Sequence, residues 1–100
     1  MIVYMSTELN TLLCAIADPT RRRILSLLKE EGCCSIGKSV GMCACDIEAK
    51  VELSQPTISH HMKILTKAGL VESKKIGQWM WYRRNEKCLR DALNALRDEL

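Results

Sequence analysis

The stretch from Ser54 to Leu70 constrains this chain more than any other. It predicts one helix with two unlike faces. Ile58, His61, Met62 and Leu65 recur at helical spacing and form an apolar seam. Ser59, His60, Lys63 and Lys67 lie on the opposite face, polar or basic, with no acid among them. Ser54 suits an N-cap, Pro56 is tolerated in the first turn, and Gly69 suits the stop. A short helix whose outer face offers hydroxyls, an amide, an imidazole and lysines fits the DNA major groove.

The neighbouring residues complete a pattern. A short helix is expected over about 46–51, with Glu52-Leu53 as the turn into the polar-faced helix. Two short helices joined by a tight turn make a helix-turn-helix. Residues 70–76 and 79–83 read as two strands joined by Gly77-Gln78, a two-residue hairpin. A hairpin after a recognition helix is a wing, and Lys74 and Lys75 stand near its tip, where phosphates or the minor groove are met.

Helices flank this unit. Residues 6–17 place Leu9, Leu12, Leu13 and Ile16 on one stripe. Asp18 caps the next helix, Pro19 opens it, Ile24, Leu25, Leu27 and Leu28 face inward, and Gly32 ends it. Residues 33–42 read as a loop. Residues 86–99 form a last helix with Leu89, Ala92, Leu93 and Leu96 on one stripe. The expected fold is mainly α with a small β-hairpin, a winged helix-turn-helix in a single domain over residues 1–100. So small a core cannot cover both end stripes, which predicts a homodimer through the first and last helices.

Charge supports a polyanion partner. The chain carries a net +3, but residues 54–84 hold six bases and one acid, a net +5, leaving −2 for the rest. Nothing is long and apolar enough to span a bilayer. Met1 to Tyr4 lacks the basic start and long apolar run of a signal peptide, so a cytoplasmic protein without membrane contact is expected. Thiols stay reduced there, so six cysteines point to metal or redox chemistry rather than a disulfide framework. Cys14 and Cys88, on or beside the end stripes, are expected to be small buried hydrophobes.

The pattern resembles the ArsR/SmtB family of winged-helix metalloregulators over nearly the whole chain. The matching residues are Ala17-Asp18-Pro19-Thr20-Arg21 with Ile24-Leu25, then Cys43-Ala44-Cys45-Asp46-Ile47, then Ser54 to His61, and Gly77-Gln78 to Tyr82-Arg83 in the wing. The resemblance implies a homodimeric repressor that leaves a two-fold operator when a thiophilic ion binds. Its arsenic- and cadmium/lead-sensing branches carry Cys-x-Cys-Asp at this place. Two departures matter. Arsenic sensors of the best-known type have a third cysteine one turn after the pair, and here that position is Glu48. The zinc-sensing branch uses Asp and His on the last helix, and here that helix has no His.

Cys43 and Cys45 would point apart inside a helix. At a helix N-terminus, with Cys43 still extended, both sulfurs can turn to one ion, and the helix dipole favours thiolate. Trigonal arsenite or antimonite needs three sulfurs; cadmium, lead or zinc would take a further ligand. Cys33 and Cys34, in what resembles an inserted loop, are the nearest candidates in sequence. For DNA, Gln55 and Thr57 stand at the helix tip, Ser59, His60 and Lys63 follow along its face, and Lys75 and Gln78 come from the wing. His61 is expected in the core, Arg21 as a structural ion-pair partner, Arg22 solvated, and Trp79 and Trp81 as packing for the wing. A thiol redox switch joining Cys33 or Cys34 to Cys43 or Cys45, and a purely structural zinc site, are the alternatives. Without Cys-x-x-Cys or a His beside a cysteine nucleophile, the chain does not read as an enzyme.

Overall fold

A computed structural model describes residues 2–30 and 42–100. Gly32, Cys33 and Cys34 lie outside the described residues, as does most of the loop expected over 33–42. The element order is α1 (Ile2–Ile16), α2 (Pro19–Glu30), β1 (Met42–Cys43), α3 (Ala44–Val51), α4 (Gln55–Lys67), β2 (Val71–Ile76), β3 (Trp79–Arg84) and α5 (Glu86–Glu99). The fold is a winged helix-turn-helix, mainly helical with a small antiparallel sheet.

One core organises these elements. Ala15, Ile24, Leu25 and Leu28 of the first two helices meet Ile47 of α3 and Ile58, Met62 and Leu65 of α4. Met42, Leu70 and Val71 close it from the sheet side. Ile24, Ile47 and Leu65 are fully buried, so each removes a branched aliphatic side chain from water, worth about 1.5–3 kcal/mol apiece. The buried face of α1 runs through Leu9 and Ala15, with Leu12 and Ile16 packed at its edge. That is one position round the helix from the expected stripe. Leu13 is therefore exposed, and Cys14 is exposed rather than buried as its sequence position implied.

The helix ends follow their local chemistry. Asp18 Oδ2 accepts the Arg21 backbone N–H at 3.1 Å, the N-cap of α2 with Pro19 in the first position. Asn85 Oδ1 accepts the Cys88 N–H at 3.0 Å and caps α5. Helix α4 ends in a Schellman motif: the Leu70 N–H meets the Leu65 carbonyl at 3.1 Å and the Gly69 N–H meets that of Thr66 at 3.0 Å. Gly69 sits at φ +84, the left-handed conformation this motif demands.

The sheet departs from the sequence reading. It has three strands, in the order β1-β3-β2, where a two-stranded hairpin was expected. The extra strand pairs Met42 with Tyr82 and Cys43 with Trp81. It takes Met42 out of the expected loop and lets α3 begin at Ala44, two residues early. The hairpin itself is in the predicted register, Ile76 opposite Trp79 across Gly77-Gln78, with Gly77 at φ +63.

Between α3 and α4 the chain turns at Glu52, which is held at φ 59, ψ 42, with its N–H on the Glu48 carbonyl at 2.9 Å. The left-handed region costs an L-residue roughly 1–2 kcal/mol, and glycine's extra unfolded-state freedom returns roughly half of that. Glu52→Gly is therefore expected to stabilise the fold by about 0.5–1 kcal/mol. A urea midpoint equal to or below that of the parent contradicts the strain.

Candidate functional site

Helix α4 presents the expected surface. Ser54 has the extended backbone of an N-cap, but its hydroxyl lies 2.9 Å from the Thr57 hydroxyl instead of capping a backbone N–H. The apolar residues Ile58, Met62 and Leu65 are buried. Gln55, Thr57, Ser59, His60, Lys63 and Lys67 are all solvent-facing, so the polar face points away from the core as one surface. Lys75 and Gln78 are exposed on the wing beside it. The two arginines of the basic half turn to internal work. Arg83 Nε donates to Glu72 at 2.8 Å, Arg84 Nη2 donates to Glu86 at 3.0 Å, and Arg84 Nη1 reaches the Leu25 carbonyl at 3.3 Å. The cationic face of this half is thus carried by Lys63, Lys67, Lys74 and Lys75.

His61 sits at the edge of the core, as the seam predicted, and it holds α4 in place. Arg21 Nη1 approaches His61 Nδ1 at 3.2 Å, Arg21 Nε donates to the Ala15 carbonyl at 2.7 Å, and Nη2 donates to that of Cys14 at 3.1 Å. A guanidinium only donates, so His61 Nδ1 is the acceptor and the ring is neutral. Desolvation drives His61 below its ordinary pKa, and the Arg21 and His60 charges add to this against the opposing pull of Asp18. Arg21 is therefore a helix-joining donor, and its charge also attracts the Asp18 carboxylate. Arg22 is exposed as expected, yet donates to the Ile16 carbonyl at 2.6 Å.

The thiol pair forms one locus. Cys43 is the N-cap of α3 in extended conformation, φ −70 and ψ 147, while Cys45 is already helical. Their sulfurs lie 3.1 Å apart. Cys43 is buried and Cys45 exposed, so the pair opens to solvent on one side. The expected thiolate character is corrected for Cys45. Its pKa is raised, first by the hydrogen bond with the Cys43 thiol, then by desolvation and the charges of Cys43 and Asp46, against one lowering backbone contact. The thiol–thiol hydrogen bond is the largest of these causes.

Two soft sulfurs at this spacing fit a thiophilic ion. Among the described residues no third His, Cys, Asp or Glu completes a cluster around them. Cys33 and Cys34 lie outside those residues. Cys88 is half-buried against Ala68 and Gly69, in keeping with a structural role. Trp81 is buried as expected. Trp79 is not: it is 50% exposed, because β1 is only two residues long and lies opposite Trp81 and Tyr82, short of the hairpin tip. No helix among the described residues is long and apolar enough to cross a membrane.

Comparison with known proteins agrees with this geometry. The family profile described as "Bacterial regulatory protein, arsR family" matches residues 18–73, which span α2 through the start of the wing. The chain is 40% identical over 89 residues to the arsenical resistance operon repressor of Staphylococcus aureus, covering 89% of this chain and 77% of that protein. It is 38% identical over 86 residues to the transcriptional repressor SdpR of Bacillus subtilis strain 168, covering 86% of each. The solved structure of an ArsR-like transcriptional regulator from Rhodococcus sp. RHA1 superposes with a TM-score of 0.73 at 28% identity, over 93% of this chain and 79% of that one.

The neutral His61 makes a pH prediction. Its folded pKa lies below the ordinary 6.5, so as pH falls the unfolded chain takes up the proton first. Stability is full above about 6.5 and declines as pH drops through that value toward the folded pKa. Denaturant titrations of the parent between pH 7.5 and 5.5 are expected to show this decline. His61→Gln, which keeps an acceptor for Arg21 but does not titrate, should show less of it. Equal declines would remove His61 as the cause.

Proposed function

Because the chain belongs to the ArsR family of bacterial regulatory proteins, DNA-binding transcriptional regulators rather than enzymes, we propose that it is a homodimeric cytoplasmic repressor released from its operator when a thiophilic metal(loid) binds Cys43 and Cys45. The observation that carries this reading is the 3.1 Å approach of the two sulfurs at the first turn of the first helix of the helix-turn-helix. Arsenite or antimonite is the favoured inducer, with cadmium, lead or zinc as alternatives. The naming of the Staphylococcus aureus relative as an arsenical resistance repressor supports the first choice.

Arsenic(III) supplies a soft trigonal centre that prefers three thiolates. Cys43 and Cys45 offer two, and Cys33 or Cys34 is proposed for the third. Closing the sulfurs on an ion displaces the start of α3. Because α3 packs on α4 through Ile47, Ile58 and Met62, that displacement reorients the reading face. Release requires the ion to bind the DNA-incompetent arrangement more tightly than the competent one.

The same sulfur–sulfur distance favours a second reading. A hydroperoxide would oxidise the two thiols to a disulfide, taking up their two electrons and two protons as its O–O bond breaks to give an alcohol and a water, or two waters from hydrogen peroxide. A response to peroxide in the absence of metal distinguishes it.

On the DNA side, Gln55, Thr57, Ser59, His60 and Lys63 are proposed to read base edges, with Lys75 and Gln78 holding the wing on the backbone. The dimer is proposed to form through α1 and α5. Leu13 and Leu93 are 37% and 62% exposed there, and a groove of about 640 Å³ runs between the two helices past Leu9, Leu12 and Ala92.

Operator-binding anisotropy tests these assignments. Gln55→Ala should cost roughly 1–3 kcal/mol on cognate DNA and little on random DNA. Lys75→Ala should weaken both alike and flatten the log–log salt slope by roughly 0.9 for each phosphate that the lysine neutralises. Identical behaviour of the two variants would overturn the division between helix and wing. Cys43→Ser and Cys45→Ser should each bind operator as the parent does and no longer be released by arsenite. Release of Cys43→Ser at the parental arsenite concentration would remove the thiol pair as the sensor.

A further inference from the structure

The third strand makes the thiol pair part of the wing. Cys43 is at once the last residue of β1 and the N-cap of α3. In the sheet it stands opposite Trp81, and Trp81 stands opposite Lys74 on the other side. Directly opposed residues of antiparallel strands project to the same face, with Cβ atoms about 4.5–5.5 Å apart. Cys43, Trp81 and Lys74 therefore form a row across all three strands. The neighbouring row, Met42, Tyr82 and Ser73, projects to the other face. That second face is the one turned to the core: Met42 is 2% exposed and Tyr82 packs against the core cluster.

The first row thus lies on the sheet face away from the core, yet two of its members are buried. Cys43 is 5% exposed and Trp81 7% exposed, and neither belongs to the main cluster. A bulky, buried indole thus stands at the register position across from Cys43, the residue that ends β1 and opens the thiol pair. Lys74, at the far end of the row, is exposed on the wing.

We propose that Trp81 is the positioning residue that couples occupancy of Cys43 and Cys45 to the wing, so that the inducer acts on Lys74 as well as on α3. The inference rests on the sensor reading given above. Its physical basis is the stiffness of packed groups. Drawing Cys43 toward an ion moves β1, whose backbone is bonded to β3 at Trp81 and Tyr82. Closely packed side chains transmit such a shift rather than absorb it. Strand β3 is paired along its whole length with β2, so the hairpin moves as a piece and carries Lys74 and Lys75 with it. The site then has two outputs: α3 alters the base-reading helix, and Trp81 alters the phosphate-holding wing.

The test uses phenylarsine oxide, which closes on two neighbouring thiols with loss of water and needs no third sulfur, beside arsenite. In a Trp79→Phe background Trp81 is the only tryptophan, and its emission should change on addition of one equivalent of the reagent. The main readout is the ratio of operator affinities without and with reagent. For the parent, a ratio within the roughly 5- to 150-fold range of ordinary allosteric coupling is expected. Trp81→Leu should still consume the reagent at both thiols, by thiol titration, but give a much smaller ratio, and Trp81→Phe should restore it. Lys74→Gln, at an exposed position that leaves folding intact, should bind operator less tightly and also give a smaller ratio. Parental ratios in Trp81→Leu and Lys74→Gln would overturn the proposal. Should Trp81→Leu fail to fold, Lys74→Gln and the emission measurement decide it alone. A parent whose thiols react but whose operator affinity does not change overturns the sensor reading and the coupling with it. Unchanged Trp81 emission on reaction overturns the coupling through the indole, whatever happens to the DNA.

Discussion

The Arg21 guanidinium is the junction on which the arrangement of helices depends. The last turn of a helix leaves carbonyls without partners, and at the end of α1 those of Cys14, Ala15 and Ile16 are taken up by arginine side chains of α2. Arg21 supplies donors to the Ala15 and Cys14 carbonyls, while its third edge meets His61 on α4. Asp18 fixes the backbone of Arg21 from the preceding cap. Three helices are thereby held by one side chain, and the recognition helix is placed relative to α1 and α2 by polar bonds as well as by the apolar core. Arg23 repeats the device for α3, donating to the Lys50 carbonyl at 3.0 Å. The run of three arginines in α2 is therefore scaffold, which is why the cationic surface comes from lysines elsewhere.

Much of this fold is legible in the sequence because its signals are local. The seam of α4, the cap at Asp18 and the glycine at the hairpin turn each depend on a few adjacent residues. Strand β1 is not legible. Two residues are too few to show alternation, and their partners lie some forty positions away in the chain. The one-residue rotation of the α1 seam is hidden for a similar reason: Ala15 and Cys14 are both small and apolar, and only the neighbouring helix decides which of them turns inward.

The candidate site divides in the same way. The reading face is visible as an absence of acids at helical spacing, and every residue assigned to it is exposed. The thiol pair is visible as a motif, and its extended-then-helical backbone follows from the spacing. What the motif conceals is the hydrogen bond between the sulfurs, which raises the pKa of Cys45, and the pairing of Cys43 with Trp81 across the strands. Both arise from tertiary pairing.

The turn at Glu52 sets how far a disturbance at the thiols can travel. A glycine there would roam over a wide range of backbone angles and act as a hinge, letting α3 tilt while α4 stayed put. A side-chain-bearing residue at φ 59 occupies a narrow well, and the joint between the two helices becomes an elbow locked at one angle. Helix α3 is then a lever of eight residues, roughly 12 Å long, joined to the sheet through Cys43 at one end and to the reading helix at the other. The strain kept in one peptide unit converts two helices into a single arm.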